Sequence, residues 1–557
     1  MQNRLALTED QQKIYNQLID FIKTDKEKEI SLIGYAGVGK TMLITRLIND
    51  IISSKLCKRI AVCSPTHKSL NVIKSKLFTT SEKTTISTNI DIITIHRLLN
   101  YQYHTDNTGK KYYAKGKVEP NCSIYNVIII DECSMLSKQI IDDIETEINK
   151  PKNKNIKFIF SSDPCQLPPV GEISSAIFSK KIKTLTLDKI IRTKSQNIME
   201  LSNAHRKWII TNEDKNMPHL VDYEDKNIIL HNSKNTEIWL KKFINYLKFQ
   251  SNNQDFDNKS QKLLNINNEK IPETPETPET PENLNNNIIL TWTNKKCNEY
   301  NDYIRHRMFN KKKLNKYEIG EILIFNDFYR ILINTETEEN KIISFYTSEQ
   351  VKLQDIRQDK LTFQKIKNLK NVELPEDISL KFKKTISKIN KILITKTIDV
   401  YYMTVKKISE LKTQDDNTEL YEILTIHNDS EKEYEELKEI FEQIMIEFKN
   451  TVYKMINDLK TPTNTNDSSF NMIKTEYMNI IENKINRMWK DWQTNVIDKF
   501  AQLNYGYCIT VHKSQGSTFK NVFIDIKDIF ANYNQQEKLK CLYTAITRSS
   551  HSLELLI

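Results

Sequence analysis

The sequence predicts an α/β fold built on parallel β-sheet, and three observations carry that expectation. From residue 28 to 165, continuous apolar runs alternate with helical periodicity, the pattern of strands buried on both faces and joined by helices. Gly34-Tyr35-Ala36-Gly37-Val38-Gly39-Lys40-Thr41 fits GxxxxGK[ST] directly after one such run and at the start of a helical stretch. Glycine is scarce, nine in all, yet five fall in two short places: Gly34, Gly37 and Gly39 in that octet, Gly506 and Gly516 far downstream. Where so few are kept, the backbone has a use for them.

Taken in order, KEISLIGYA reads as a strand, TMLITRLINDIISS as a helix, and KRIAVCSPT, YNVIIIDE and IKFIFSSD as further strands of the same sheet. Residues 99 to 117, LNYQYHTDNTGKKYYAKGK, place two tyrosine-rich arms around Asp106-Asn107-Thr108-Gly109 and predict a protruding β-hairpin. Residues 250 to 288 are of low complexity and contain PETPETPETPE, which suits an extended spacer of about 3.1 Å per residue. IILTW follows at 288 to 292, then small antiparallel strands are expected at 320 to 356. The pattern turns charged and helical at 430 to 460 and 468 to 503, giving two long helices joined by TPTNTNDSS. YGYCI, just before Thr510, is expected to be one core strand of a second sheet.

A chain of 557 residues exceeds one hydrophobic core and suits about three to five domains or subdomains. The formal net charge of +10 favours an anionic partner such as nucleic acid, and a solvated Lys-rich surface would account for it as well. The eight cysteines show no CxxC pair and no Cys/His ligand spacing. That argues against a zinc module or a disulfide framework and for a reducing, intracellular setting. The N-terminus MQNRLALTEDQQK lacks a signal pattern and no stretch approaches about 18 apolar residues. A soluble protein with no membrane partner is expected.

The octet is a nucleoside triphosphate site on physical grounds. Backbone N–H groups from Gly34 through Gly39, including Ala36 and Val38, would cradle phosphates at a helix N-terminus. Lys40 would neutralise them and Thr41 would ligate Mg²⁺. Asp131-Glu132 ends a buried strand at the sheet edge where α/β ligands bind; Asp131 suits the magnesium shell and Glu132 a general base. Gln166, in the loop Ser162-Asp163-Pro164-Cys165-Gln166-Leu167-Pro168, would face the γ-phosphate.

These residues resemble the superfamily 1 DNA helicases of the 5′-to-3′, RecD/Dda-like branch. The resemblance is spread along most of the chain: LTEDQ at 7 to 11, GYAGVGKT, SPTHKSL at 64 to 70, TIHRLL at 94 to 99, DECSM at 131 to 135, and DPCQLPPV at 163 to 170. It continues through IIRT around Arg192, TWTNKKCNEYN at 291 to 301, YCITVHKSQGST at 507 to 518 and YTAITRSS at 543 to 550. The resemblance implies ATP and Mg²⁺ as cofactors, Gln11 against adenine, Gln515 and Gly516 toward the nucleotide, and Arg192 and Arg548 as arginine fingers. It implies a nucleic-acid track through Thr66, His67, Lys68, Thr94 and His96 on one side and Trp292, Thr510, His512 and Lys513 on the other. Tyr112 and Tyr113 would stack on the last base pair from the separation pin.

The architecture so implied is two RecA-like P-loop motor domains, a β-hairpin pin and an inserted SH3-like plus helical subdomain. Residues 1–184 would form the first motor domain with the pin at about 99–117, and 185–318 the first part of the second, with the linker at about 250–288. Residues 319–500 would be the insert and 501–557 the remainder of the second domain. Partners would be single-stranded DNA and DNA forks, with replication or repair proteins, the chain acting as a monomer. The 5′-to-3′ sense rests on the resemblance alone. An RNA-directed or non-unwinding translocase stays open, as does a nucleic-acid-binding scaffold with a switch-like ATP site. Two features depart from the family: Ser162 stands where its members carry Gly, and residues 357 to 400 match loosely.

Overall fold

The computed structural model describes residues 7–24, 26–77, 89–105, 111–116, 119–169, 171–188, 195–252, 287–334, 340–366, 374–408, 419–459 and 467–557. PETPETPETPE, the predicted hairpin tip and Arg192 lie outside the described residues. The first parallel sheet takes β1 Glu29–Gly34, β2 Ile60–Ser64 and β3 Ile90–Thr94. After a hairpin of β4 Tyr101–Thr105 and β5 Lys111–Lys115 it takes β6 Val127–Ile130, β7 Lys157–Ser162 and β8 Lys183–Leu187, in the order β3-β2-β6-β7-β1-β8. Period-two alternation feeds two layers: Val127 and Ile129 join Leu43 and Leu47 of the helix Lys40–Ser53, and Ile128 and Ile130 join Ile141 and Ile144 of the helix Lys138–Asn149.

The four strands expected from apolar runs are the four inner ones, and the two edge strands were not anticipated. IDIIT and KTLTL carry polar residues because an edge strand is only half covered. The hairpin is present, with Tyr103 opposite Tyr113 and His104 opposite Tyr112 in antiparallel register.

The second parallel sheet comprises β9 Ile228–His231 and β10 Asn287–Thr291, and later in the chain β18 Cys508–Thr510, β19 Phe519–Asp525 and β20 Ser549–Leu556. Its order is β18-β10-β19-β20-β9. Between β10 and β18 runs an antiparallel sheet of β11 Ile322–Phe325, β14 Gln350–Thr362, β15 Thr397–Lys407, β16 Leu420–Ile426 and β17 Leu503–Tyr505, with a separate hairpin of β12 Tyr329–Asn334 and β13 Asn340–Phe345.

YGYCI is therefore not one core strand. Tyr505 ends β17, paired antiparallel with β11, whereas Cys508 opens β18, an edge strand paired parallel with β10. Gly506 makes the passage: a Cβ there would lie 2.9 Å from Ile322 Cγ2, and its carbonyl accepts from Gln350 Nε2 at 2.8 Å.

The helical region differs from expectation in two places. A helix Glu376–Thr395 lies in the loosely matching stretch, and the second long helix is Asp467–Trp492 with a π-helical turn at Gln493–Ile497, ending short of 503. The first long helix is Glu431–Asn457, and Phe441 stacks on Trp492 at 3.8 Å between centroids with the rings 2° from parallel. Phe382 and Phe448 join the same core, so the three helices cover β15 and β16 through Val400 and Ile426.

The insert is tied to the second sheet by a buried ion pair. Arg305, on the helix Asn294–Phe309, pairs with Glu321 just before β11, lies 3.8 Å over the Tyr505 ring, and donates Nη2 to the carbonyls of Asn315 at 2.8 Å and Lys316 at 2.9 Å. Replacing Arg305 by Leu leaves Glu321 buried and unpaired, and should cost about 3–5 kcal/mol, read as a lower denaturant midpoint for the transition that exposes this junction.

Candidate nucleotide and nucleic-acid site

The loop between β1 and the helix Lys40–Ser53 needs its glycines. Gly37 and Gly39 sit at φ 83° and 85°, the left-handed region that L side chains avoid. A Cβ on Gly34 would lie 2.8 Å from Val38 Cγ2 and 2.9 Å from Lys40 Cγ. Lys40 is buried and its amine donates to the carbonyls of Gly34 and, at 3.1 Å, Tyr35. Gln11 braces the loop: Nε2 donates to the Val38 carbonyl at 3.1 Å and Oε1 accepts from Thr8 N–H at 3.1 Å, completing a capping box on the helix Glu9–Lys23. Gln11 is buried, so its expected contact with adenine would have to be made alongside these two bonds.

Asp131 and Glu132 follow β6 as predicted. Asp131 is buried and accepts a hydrogen bond from Ser161 Oγ at 2.6 Å; burial, and next the Glu132 charge, raise its carboxyl above the usual range. Glu132 has φ 55°, and its Oε2 is buried with no hydrogen-bond partner among the described residues. Gln166 Nε2 contacts Asp163 Oδ2 at 3.4 Å while its Oε1 is buried without a partner among the described residues. Gly37, Gly39, Lys40, Thr41, Asp131, Glu132 and Gln166 line one cleft of about 230 Å³, and Gly516 and Arg548 from the far end of the chain complete it.

Arg548 is 3% exposed, and its guanidinium donates to Thr544 O at 3.0 Å, Ser517 O at 3.2 Å and Thr547 Oγ1 at 3.2 Å. Gly516 sits at φ 78°, where a Cβ would lie 2.8 Å from Ser69 Oγ. Gln515, expected at the cleft, instead donates Nε2 to the Leu167 carbonyl at 3.2 Å and ties the second sheet to the loop after β7. Two contacts escaped sequence reasoning. Tyr543 Oη accepts from Ala36 N–H at 3.1 Å and donates to Asp163 Oδ2 at 3.2 Å. Arg206, on the helix Gln196–Thr211, lies 4.0 Å over the Tyr35 ring. The signal for Tyr543 was present in YTAITRSS, but its partners are 380 and 507 residues away.

The nucleic-acid candidates are held as follows. Thr66 accepts from Ser69 N–H at 3.3 Å and caps the helix His67–Leu77; His67 stacks on Tyr346, just after β13, at 4.0 Å and 24°. Lys68 Nζ lies 5.7 Å from the Phe519 ring centroid. Thr94 accepts from Arg97 N–H at 3.2 Å and His96 meets Tyr101 edge-on at 5.7 Å, beside the base of the hairpin. Trp292 is half-buried, its N–H donating to Asp528 Oδ2 at 2.7 Å. Thr510 is buried, His512 is half-buried with its pKa lowered by burial, and Lys513 Nζ donates to Asn326 Oδ1 at 3.0 Å. Tyr112 and Tyr113 lie on β5, where only the backbone register is described.

Comparison with known proteins agrees with this layout. Residues 19–172 match the family model described as an AAA domain, and residues 505–556 match the UvrD-like helicase C-terminal domain. The uncharacterized protein R530 of Acanthamoeba polyphaga mimivirus is 30% identical over 569 residues, spanning 98% of this chain and 99% of that protein. Among solved structures, Bacteroides Pif1 bound to ssDNA aligns with a TM-score of 0.43 at 13% identity, over 99% of this chain and 92% of its own. Pif1 helicase from Candida albicans aligns with a TM-score of 0.37 at 15% identity, over 99% and 95%.

The His67 contact sets a pH dependence. Burial first, then the nearby Lys74, Arg97 and His96, push its imidazole down to about 4. The folded value lies below the unfolded one, so this contribution to stability is complete above about pH 6.5. It is lost as pH falls toward 4. A His67→Phe variant, which keeps an aromatic ring against Tyr346, should lose less stability than the wild type between neutral and acid pH in parallel thermal melts. Buried His205 is pushed down in the same way, so the variant's pH slope should be shallower rather than flat.

Proposed function

The chain belongs to superfamily 1 of the helicases, in one family with the mimivirus protein, and from that premise we propose that it is an ATP-driven DNA helicase that moves along single-stranded DNA and unwinds duplex. One observation carries the reading. A single cleft receives Lys40, Asp131, Glu132 and Gln166 from loops of the first sheet and Gly516 and Arg548 from the second. Residues 1–184 form one motor half and 185–318 the first part of the other; the insert runs from 319 through β17, and the second half resumes at Gly506 rather than at 501.

Phosphates lie on the loop's N–H groups, and Lys40 exchanges the neutral carbonyls of Gly34 and Tyr35 for charged phosphate oxygens, its stronger acceptors. The oxygens of Thr41, Asp131 and Glu132 are a hard donor set that fits Mg²⁺, and the unpaired Glu132 oxygen is consistent with a ligand in the cleft. When bound through Thr41 and Asp131, the ion would neutralise and orient phosphate oxygens. Glu132 Oε2 and Gln166 Oε1 are acceptors without partners among the described residues; Glu132 takes the one proton that an attacking water gives up, while Gln166 accepts a hydrogen bond from the other O–H. Arg548, oriented by three carbonyl and hydroxyl acceptors, supplies positive charge where it develops on the transferred group.

ATP bridging both halves favours the closed arrangement, and hydrolysis releases it. Thr66, His67, Lys68, Thr94 and His96 grip the strand from one half, and Trp292, Thr510, His512 and Lys513 from the other, by phosphate contact and stacking. Alternating grip moves the strand in one direction, 5′ to 3′ by resemblance. Tyr112 and Tyr113 stack at the junction as the pin.

Glu132→Gln should keep ATP binding and lower DNA-stimulated hydrolysis by about 10²- to 10⁴-fold, and Lys40→Ala should abolish it. Duplexes with a 5′ single-stranded tail should be unwound and those with only a 3′ tail should not. Unwinding from the 3′ tail alone would reverse the polarity. Hydrolysis stimulated by single strands without unwinding from either tail would make the chain a translocase, and stronger stimulation by RNA than by matched DNA would redirect its substrate.

A further inference from the structure

Resting on the hydrolytic reading above, we infer that the Tyr543 hydroxyl is a positioning group that makes the orientation of Gln166 depend on closure of the two sheets. Tyr543 comes from the helix Gln535–Ile546, which belongs to the second sheet's layer, and its ring is 1% exposed. It packs with Ala36, Cys165, Trp208 and Leu539, a small core shared by the P-loop, the loop after β7 and the far helices. A phenylalanine would satisfy that packing. The hydroxyl is needed for something else.

Its oxygen accepts from Ala36 N–H at 3.1 Å and its proton goes to Asp163 Oδ2 at 3.2 Å. Burial keeps the phenol protonated and able to donate. Asp163 is fully buried, with its other oxygen taken by Cys165 N–H at 3.0 Å. The same Oδ2 that receives the Tyr543 proton also holds Gln166 Nε2 at 3.4 Å. Holding the nitrogen end fixes the amide of Gln166, a residue that lines the cleft, and leaves its acceptor Oε1 buried with no partner among the described residues. The chain of bonds therefore runs from a P-loop amide, through a hydroxyl supplied by the second sheet, to a carboxylate and then to the side chain that faces the reacting water.

Neighbouring bonds cross at the same place. Leu167 N–H donates to Thr544 Oγ1 at 3.2 Å and Gln515 Nε2 to Leu167 O at 3.2 Å. When the halves part, Asp163 loses the Tyr543 donor and Ala36 N–H loses its acceptor at once. Gln166 is then held by a carboxylate that has itself lost a restraint. The same loop meets Arg206 through Tyr35 and Tyr543 through Ala36, and lines the cleft with Gly37, Gly39, Lys40 and Thr41 as well.

The test is a double-mutant cycle of Tyr543→Phe and Asp163→Asn, read by steady-state ATP hydrolysis with single-stranded DNA and by thermal melting. Tyr543→Phe should leave KM for ATP within about twofold and lower kcat about tenfold, the usual effect of losing one hydrogen bond to a charged group. The double variant should be no slower than the slower single, because both act through one bond. Unchanged kcat in Tyr543→Phe, or losses that multiply in the pair, overturns the inference. So does a loss of kcat and KM together with a lower melting temperature, which marks a packing role. A wild type without DNA-stimulated hydrolysis overturns the hydrolytic reading and this inference with it, whereas an active wild type and an indifferent Tyr543→Phe overturn this inference alone.

Discussion

Buried polar groups must find partners, and the join between the two parallel sheets is shaped by that demand. Three side chains brought to it from the second sheet's half meet groups of the first: Thr544 takes the Leu167 amide, Gln515 the Leu167 carbonyl, and Tyr543 the Ala36 amide and the Asp163 carboxylate. Among the described residues two acceptor oxygens of the cleft-lining side chains are left over, Glu132 Oε2 and Gln166 Oε1. An unpaired buried acceptor costs about 1–3 kcal/mol, so a ligand that supplies donors there would recover that cost. Lys40, folded onto the carbonyls of Gly34 and Tyr35, is a cation of the cleft wall that can change acceptors without leaving its place on the helix.

What could be read from the sequence follows the range of each interaction. Lys40, Thr41, Asp131 and Glu132 are set by a strand, a turn and a few residues of spacing, and they stand together around one cleft. Inner strands such as VIII and KFIFSS announced themselves because both faces are covered. The edge strands IDIIT and KTLTL did not, since half their surface carries no hydrophobic requirement. The contacts of Tyr543 and Arg206 were illegible for a different reason: their partners lie far off in the chain, and no local pattern encodes which distant residue a side chain will meet. Gln11 shows the converse. Its place in a strong capping signal was visible, yet the bond from Nε2 to the Val38 carbonyl, 27 residues away, was not.

The insert is joined to the second sheet by means that transmit force rather than absorb it. Arg305 and Glu321 pair in a nearly dry setting, Tyr505 lies under the guanidinium, and Gly506 passes the chain from one sheet to the other with no room for a side chain. Its other contact reaches the first sheet, where His67 stacks on Tyr346 and Phe328 lies 5.6 Å from Tyr346. The insert therefore touches both halves, one through an ion pair and backbone, the other through an aromatic face. A rotation of the halves must be taken up at the aromatic face, because a stacked ring can slide for a small loss of dispersion energy while a buried ion pair cannot part without stranding a charge.

Two backbone positions show how little slack the cleft has. Gly516 approaches Ser69 so closely that a single added carbon would collide with its hydroxyl, so the second sheet's loop can reach the first only as glycine. Glu132 adopts a left-handed conformation, φ 55° and ψ 40°, that costs a non-glycine residue about 1–3 kcal/mol. The strain is held by its neighbours: Asp131 N–H bonds the Cys63 carbonyl of β2 at 2.8 Å, and Met135 N–H closes a 3₁₀ turn onto the Glu132 carbonyl at 3.1 Å. Held as it is, Glu132 joins Gln166 in lining the same cleft, each with an acceptor oxygen unpaired among the described residues. The strain is thus the local cost of bringing this carboxylate to the cleft wall, and the parallel sheet, through the β2–β6 pairing, is what sustains it.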